Sequence, residues 1–135
     1  MKHVKGLILL LVFGSASFAF AGRVQEIYQP TIHVDARANV SQLDVEKAIK
    51  KALVGRGWKV QDTLPGVIKA KWFIRKHTAE IKIVFSKSDI RFEYVDSTNL
   101  RYKEKKGVKM IHRNFNNWIH NLERDINVGL MDFLQ

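Results

Sequence analysis

The chain contains no cysteine, and this absence excludes several classes of protein. A disulfide scaffold, a thiol enzyme, a cysteine-based zinc site and a cysteine-anchored lipoprotein all require the missing thiol. Acidic residues are also scarce, with 13 Asp and Glu against 23 Lys and Arg. The resulting net charge of +10 is a property of solubility and of partners, and it says little about the fold.

Long apolar runs are lacking except near the amino terminus. Residues 7–20 are nearly all apolar, follow a basic start, and end at Ala19-Phe20-Ala21. At about 14 residues the run is short for a membrane span of roughly 20, and the pattern is typical of a secretory signal peptide. We predict cleavage after Ala21, which leaves 114 residues, a net charge of +8 and no transmembrane span. The alternative is an uncleaved anchor, and either way the domain is periplasmic or secreted.

The remaining chain is long enough for one domain and too short for two. Residues 22–40 carry weak signals and are predicted to form an extended arm, although Ile32, Val34 and Ala36 also suit a short strand. We assign residues 41–135 to a single domain. Its first helix is predicted over Ser41–Val54, with Ser41 as N-cap and Asp44 three residues later.

Alternating apolar residues over more than thirty positions predict four strands joined by hairpin turns. They begin near Trp58, Ile68, Ala79 and Ile90, and Leu64-Pro65-Gly66 forms the first turn. A fifth strand is expected near Leu100, followed by a charged loop over residues 103–107. A second, long helix is predicted from Ile111 to about Leu134. The fold class is therefore α+β, a four- or five-stranded antiparallel meander sheet with two helices packed on one face.

Positive charge is concentrated in three segments. Residues 47–59, 69–76 and 101–113 carry net charges of +5, +4 and +5, so the rest of the mature chain is negative. The meander brings parts of these segments together at one end of the sheet. We predict a ligand-binding surface there, the basic pole, which comprises Arg56, Arg75, Lys76, His77, Asp96, Ser97, Asn99, Arg101 and Lys103. Lysines on a helix end and an outer sheet face also serve solubility, which is the alternative interpretation.

Three apolar residues interrupt the charged outer face of the predicted sheet. Phe73, Val84 and Val95 are predicted to form an interaction patch for another protein if they meet across strands. The same patch would be lost if the amino-terminal arm covered it.

Catalytic and cofactor motifs are missing from the mature chain. No G-x-S-x-G, H-E-x-x-H, P-loop or G-x-G-x-x-G pattern occurs, so we expect no enzyme and no cofactor. Ser97, Asp96 and His77 supply the residue types of a small hydrolase, which is kept as an alternative. His112 and His120 are two helical turns apart with no acid joining them, so no metal site is expected. Core positions take up most aromatics, which makes nucleic acid an improbable partner.

Several short motifs resemble those of a family of small exported proteins, many of them lipoproteins, that are found in proteobacteria and are largely uncharacterised. The matching residues are Arg56-Gly57-Trp58, Pro65-Gly66, Ala70 with Arg75 and His77, Tyr94-x-Asp96-Ser97-x-Asn99-Leu100-x-Tyr102, and Ile111-His112-x-x-Phe115-Asn116-x-Trp118-Ile119-x-Asn121-Leu122. They span roughly Val45 to Ile126. The resemblance implies export and no particular reaction, and this chain departs from it by lacking the lipobox cysteine.

These observations predict an exported, non-enzymatic binding or envelope-associated domain. Its partner would be an anionic envelope component, which the basic pole and residues 101–113 would contact. A protein-interaction module and a small hydrolase remain the alternatives.

Overall fold

The computed structural model describes residues 23–134, so the predicted signal segment lies outside the described residues. The described chain forms the strands β1 Val24–Glu26, β2 Thr31–His33, β3 Lys59–Leu64, β4 Val67–Ile74, β5 His77–Phe85, β6 Asp89–Thr98, β7 Lys103–Lys105 and β8 Val108–His112. Its helices are α1 Gln42–Gly55 and α2 Arg113–Leu130, and a 3₁₀ turn, Met131–Phe133, follows α2. The α+β class predicted from the sequence is confirmed. Within residues 23–134, no helix has the length and apolar character needed to cross a membrane.

Two antiparallel sheets are formed. The larger has the strand order β2-β6-β5-β4-β3, and the smaller has the order β1-β8-β7. Strands β3 to β6 are the predicted meander, because each lies beside the strand that precedes it. The fifth strand of this sheet is β2, which pairs with the outer edge of β6 and places Ile32 opposite Ile90. The three-stranded sheet has no counterpart in the sequence prediction.

Helix α1 begins as its sequence predicts. The Ser41 side chain accepts a hydrogen bond from the backbone N–H of Asp44 at 3.1 Å, and the Asp44 carboxylate accepts one from the backbone N–H of Ser41 at 2.9 Å. This reciprocal pair is a capping box, which satisfies two backbone donors that the helix cannot pair internally. The buried stripe of Val45, Ile49, Ala52 and Leu53 follows the helical period.

A single hydrophobic core connects the helices with the larger sheet. Alternate residues of β5, from Ala79 to Phe85, are buried, in keeping with the period of two along a strand. They belong to the same core cluster as buried residues of α1 and α2. The rings of Trp72 on β4 and Trp118 on α2 meet edge to face, with 4.6 Å between their centroids. The core therefore holds α2 against the larger sheet.

The structure differs from the prediction in four places. The segment predicted as an extended arm contributes one strand to each sheet, and β2 agrees with the alternative of a short strand at Ile32. The fifth strand expected near Leu100 does not form, because Leu100 and Tyr102 lie between β6 and β7.

The predicted charged loop is a hairpin, β7 and β8, whose turn holds Lys106 and Gly107 at positive φ. Helix α2 begins at Arg113 and not at Ile111, which lies in β8. Ile111 and Phe115 share the spacing of a helical face, so periodicity alone did not separate the last strand residue from the helix.

A β-bulge interrupts the pairing of β5 with β6. Ile81 lies opposite Tyr94 and Glu80 lies opposite Asp96, so that Val95 has no partner. Side chains alternate along a strand, and the extra residue therefore exchanges the two faces of β6 beyond it. Ser97 consequently lies opposite the buried Ala79.

Candidate functional site

Two hydrogen bonds connect the β4–β5 turn to the end of β6. His77 Nδ1 donates to the carbonyl oxygen of Asn99 at 2.9 Å, and Asn99 Nδ2 donates to the carbonyl oxygen of Lys76 at 2.6 Å. The predicted pole is thus present in this part, because Lys76, His77 and Asn99 are in direct contact. Arg75 is adjacent in the turn, at a positive φ of 53°.

Backbone hydrogen bonds bring two further chain segments to the same place. The N–H of His112 donates to the carbonyl oxygen of Leu100 at 2.8 Å, and the N–H of Arg113 donates to the carbonyl oxygen of Arg23 at 2.8 Å. Arg101 follows Leu100 directly. We refer to Arg23, His77, Arg101, His112 and Arg113 as the His112 cluster. Its members come from four separate parts of the chain, and the three arginines are exposed.

His112 is the N-cap of α2. Its Nδ1 atom accepts a hydrogen bond from the backbone N–H of Asn114 at 3.1 Å, which requires the neutral ring. Burial lowers the pKa of His112, and the neighbouring positive charges of Arg101 and Arg113, followed by those of His77 and Arg23, lower it further. The cap and the charges therefore favour the same uncharged form of the imidazole.

The charge around the start of α2 opposes helix stability. The first turn of α2 contains no acidic residue, and its first position is Arg113. The positive end of a helix dipole is stabilised by anions and disfavours cations. A second departure from local preference is Arg101, whose φ of 54° is one that glycine and asparagine adopt more readily. A bound anion would interact favourably with the helix end and with both arginines.

The remaining polar residues of the predicted pole have partners of their own. Ser97 Oγ is 2.7 Å from Tyr94 Oη, and Tyr94 stacks on Tyr102 with 4.1 Å between ring centroids. The Asp96 carboxylate accepts a hydrogen bond from the backbone N–H of Ser97 at 2.9 Å. Neither side chain contacts His77 through these bonds. The hydrolase alternative, which needs Ser97 bonded to a base, gains no support from this geometry.

Of the remaining predicted site residues, Arg56 lies apart from the cluster. The Arg56 guanidinium donates from Nε and Nη2 to the Asp125 carboxylate, at 2.7 and 3.0 Å. Asp125 is twelve residues from Arg113 along α2, which corresponds to about 18 Å of helix. Lys103 lies on β7 opposite Met110, and its side chain is exposed. Arg56 therefore belongs to a different surface from the other arginines.

The predicted apolar patch is not continuous. Phe73 lies opposite Thr78 at one end of β5, whereas Val84 lies six positions further along the same strand. Six strand residues span about 20 Å, which is too far for contact. Val95 is the bulge residue and is 43% exposed, and Phe73 is 53% exposed. The lysine Nζ atoms of Lys59 and Lys71 lie 5.6 and 5.2 Å from the centre of the Phe73 ring.

Among residues 23–134 there is no group of three or more His, Asp or Glu side chains placed to hold a metal ion. Sequence reasoning missed Arg23, which was assigned to an arm, and the capping role of His112. A prediction of β8 before α2 would have revealed both features. The new strand would have needed a partner, which is β1, and the helix would have needed an N-cap, which is His112.

Comparisons of the chain with protein-family models, curated proteins and solved structures found no match. The resemblance noted from the sequence motifs stays a prediction. The functional argument consequently depends on the geometry of the His112 cluster.

Proposed function

We propose that the protein is an exported, non-enzymatic domain that binds an anionic component of the cell envelope through the His112 cluster. The observation that carries the proposal is the convergence of Arg23, Arg101 and Arg113 at the amino-terminal end of α2. Asp96 is the one acidic residue in the chain segments that meet there, 23–24, 75–77, 96–101 and 112–114. Five Lys and Arg side chains in these segments thus accompany one carboxylate, and none of the three arginines is in an ion pair within residues 23–134.

The arrangement suits recognition more than stability. Sequences usually place acidic residues at a helix start, and departures from such local rules are expected at functional sites. Guanidinium groups bind phosphate and carboxylate oxygens with paired hydrogen bonds. Three exposed arginines around one helix end can thus hold an anionic group from several directions.

Binding of the protein to vesicles tests this proposal. The double variant Arg101→Glu/Arg113→Glu should lose co-sedimentation with vesicles that contain an anionic lipid, at low salt. Lys69→Glu/Lys87→Glu carries the same change of net charge on the outer sheet face and the opposite turn, and should retain it. Binding to the wild type should also weaken in molar salt, because salt screens exposed charges. Equal loss of vesicle binding in the two double variants would show that net charge alone explains it, and would refute a localised site.

Export is supported by the amino-terminal signal pattern and by the motif resemblance. Fractionation of the producing cell should place the protein outside the cytoplasm, and sequencing of the mature chain should begin at Gly22. A mature chain that still begins at Met1 would contradict cleavage and would favour the anchor.

A protein-interaction surface is the second candidate function, and the exposed ring of Phe73 favours it. Phe73→Ala would then abolish capture of a partner without changing the fold. Retention of that partner by the variant would exclude this ring as the contact.

A further inference from the structure

A cleft of about 820 Å³ lies between α1 and α2, on a surface separate from the His112 cluster. Three of its lining residues are small, namely Ala48, Ala52 and Gly129, and we refer to them as the floor of the cleft. A methyl group on Gly129 would lie 3.8 Å from the Ala48 methyl, so the two helices approach closely there. Val128, which is 59% exposed, and Phe133 add apolar surface to the walls.

The two helices run in opposite directions along the cleft. Arg56, at the end of α1, is paired with Asp125, whereas Ala48 lies against Gly129 further along α2. The cleft therefore extends over most of α1, from Asp44 to Arg56, which is about 18 Å of helix. Its volume is within the range of roughly 300–1,000 Å³ that is usual for small-molecule sites.

Charge is unevenly distributed along this length. Lys51 and Arg124 line the end near the Arg56–Asp125 pair, whose charges compensate one another. Arg124 donates to the neutral side-chain oxygen of Asn121 at 2.6 Å. In the described part of the chain, neither Lys51 nor Arg124 is in an ion pair.

The opposite end is acidic in character. Asp44 and Asp132 line it, and Lys47 lies between them and the basic end. The Asp44 carboxylate is already held by the capping box. An elongated ligand with one negative end would consequently meet attraction near Arg124 and repulsion near Asp132.

We infer that this cleft binds a long-chain carboxylate, a fatty-acid-like amphiphile, with its head group at Lys51 and Arg124 and its chain over Ala48, Ala52 and Val128. The apolar floor supplies burial for the chain, and the two cations supply charge complementarity for the head. This site is independent of the vesicle-binding surface, because the residues that line it are different.

Titration of the full protein with dodecanoate, below its micelle concentration, tests the inference. We expect saturable binding of one molecule, with amide NMR shifts confined to α1 and the second half of α2. Lys51→Glu/Arg124→Glu should weaken binding about tenfold or more, a typical effect of reversing the charge that pairs with an ionic head. Lys87→Glu/Lys105→Glu carries the same net change away from the cleft and should alter the affinity by less than about twofold.

A steric variant tests the contribution of the ligand's alkyl chain separately from that of its head group. Ala48→Leu fills the floor and should weaken dodecanoate binding while leaving both cations in place. Dodecyl maltoside, with the same chain and an uncharged head, should bind more weakly than dodecanoate, and hexanoate should bind more weakly because its chain is short.

Three outcomes would overturn the inference. They are the absence of saturable binding, equal affinity for dodecyl maltoside, and shifts centred on Arg101 and Arg113. Arg101→Glu/Arg113→Glu, which tests the proposed function, should leave dodecanoate binding unchanged, so the two proposals can fail separately.

Discussion

The buried side chain of Asn116 on α2 holds the backbone of Tyr28, which is 88 positions earlier in the chain. Asn116 Oδ1 accepts a hydrogen bond from the Tyr28 N–H at 2.9 Å, and its Nδ2 donates to the carbonyl oxygen of Glu26 at 2.9 Å. The Tyr28 ring stacks on His120, and its hydroxyl donates to the Glu123 carboxylate. One amide thus fixes the amino-terminal strands against α2.

Replacement of Asn116 by leucine should therefore destabilise the protein by about 1–3 kcal/mol, because it leaves the partly buried N–H of Tyr28 and carbonyl oxygen of Glu26 without partners. Urea unfolding measures the change. Asn117→Leu is the matched control, since Asn117 is the next residue and is exposed, and it should stay within about 0.5 kcal/mol of the wild type. Similar losses in both variants would contradict the proposed role of the Asn116 hydrogen bonds.

The cap of α2 makes stability depend on pH. The folded-state pKa of His112 is lowered from 6.5, so the unfolded chain binds more protons between the two pKa values. Stability should be constant above the unfolded pKa, should fall as the pH decreases through it, and should level off below the folded pKa.

His112→Asn tests this dependence, because asparagine caps a helix without titrating. The contribution of this position to the pH dependence should disappear, and the stability at neutral pH should be kept. His112→Ala should lose about 0.5–2 kcal/mol at neutral pH through loss of the cap. Unchanged pH dependence in His112→Asn would show that other groups are responsible.

Two glycines should respond to alanine in opposite ways. Gly129 is inside α2, and an added methyl would make ordinary contact at 3.8 Å, so Gly129→Ala should stabilise the protein by about 0.5–1 kcal/mol. Gly66 has a φ of 75°, and an added methyl would lie 3.1 Å from the carbonyl oxygen of Phe85. Gly66→Ala should destabilise by about 1 kcal/mol or more. Thermal unfolding measures the change in melting temperature of each variant. Shifts of the same sign in the two variants would contradict the prediction.

The ion pair between Arg56 and Asp125 should be visible in the titration of the carboxyl group. The hydrogen bonds from Arg56 hold the pKa of Asp125 below its ordinary value. The stabilisation from the ion pair is therefore complete when the pH is above the ordinary carboxyl pKa, and it is lost as the pH falls through the lowered pKa of Asp125. Arg56→Gln should move the pKa of Asp125 upward, as followed by NMR. Asp89, which is paired with His33 on the far edge of the sheet, serves as the internal reference and should not move.

Sequence reasoning succeeded where one physical signal dominated. From Lys59 to Thr98 the period of two and the Pro65-Gly66 turn determined the meander, because one face of each strand is buried. It failed over residues 103–112, where β7 is exposed on both faces and carries no alternation. The position of Arg23 depended on the pairing of β1 with β8, a contact between distant segments that local patterns do not encode. Arg56 was assigned to the pole from its place in the chain, but its partner on α2 holds it elsewhere.

The unpaired Val95 gives β6 a property that substitutions would not reveal. As an extra residue in the strand, it shifts the alternation of side chains by one position. Tyr94 and Ser97 therefore share the inner side although they are three positions apart. Its side chain is partly exposed and can be exchanged at small cost. Its deletion would join Tyr94 directly to Asp96, and regular alternation would leave Asp96 on the outer side opposite Glu80 and Ser97 on the inner side opposite Ala79. At this position the chain therefore accommodates the loss of one residue as well as a change of residue.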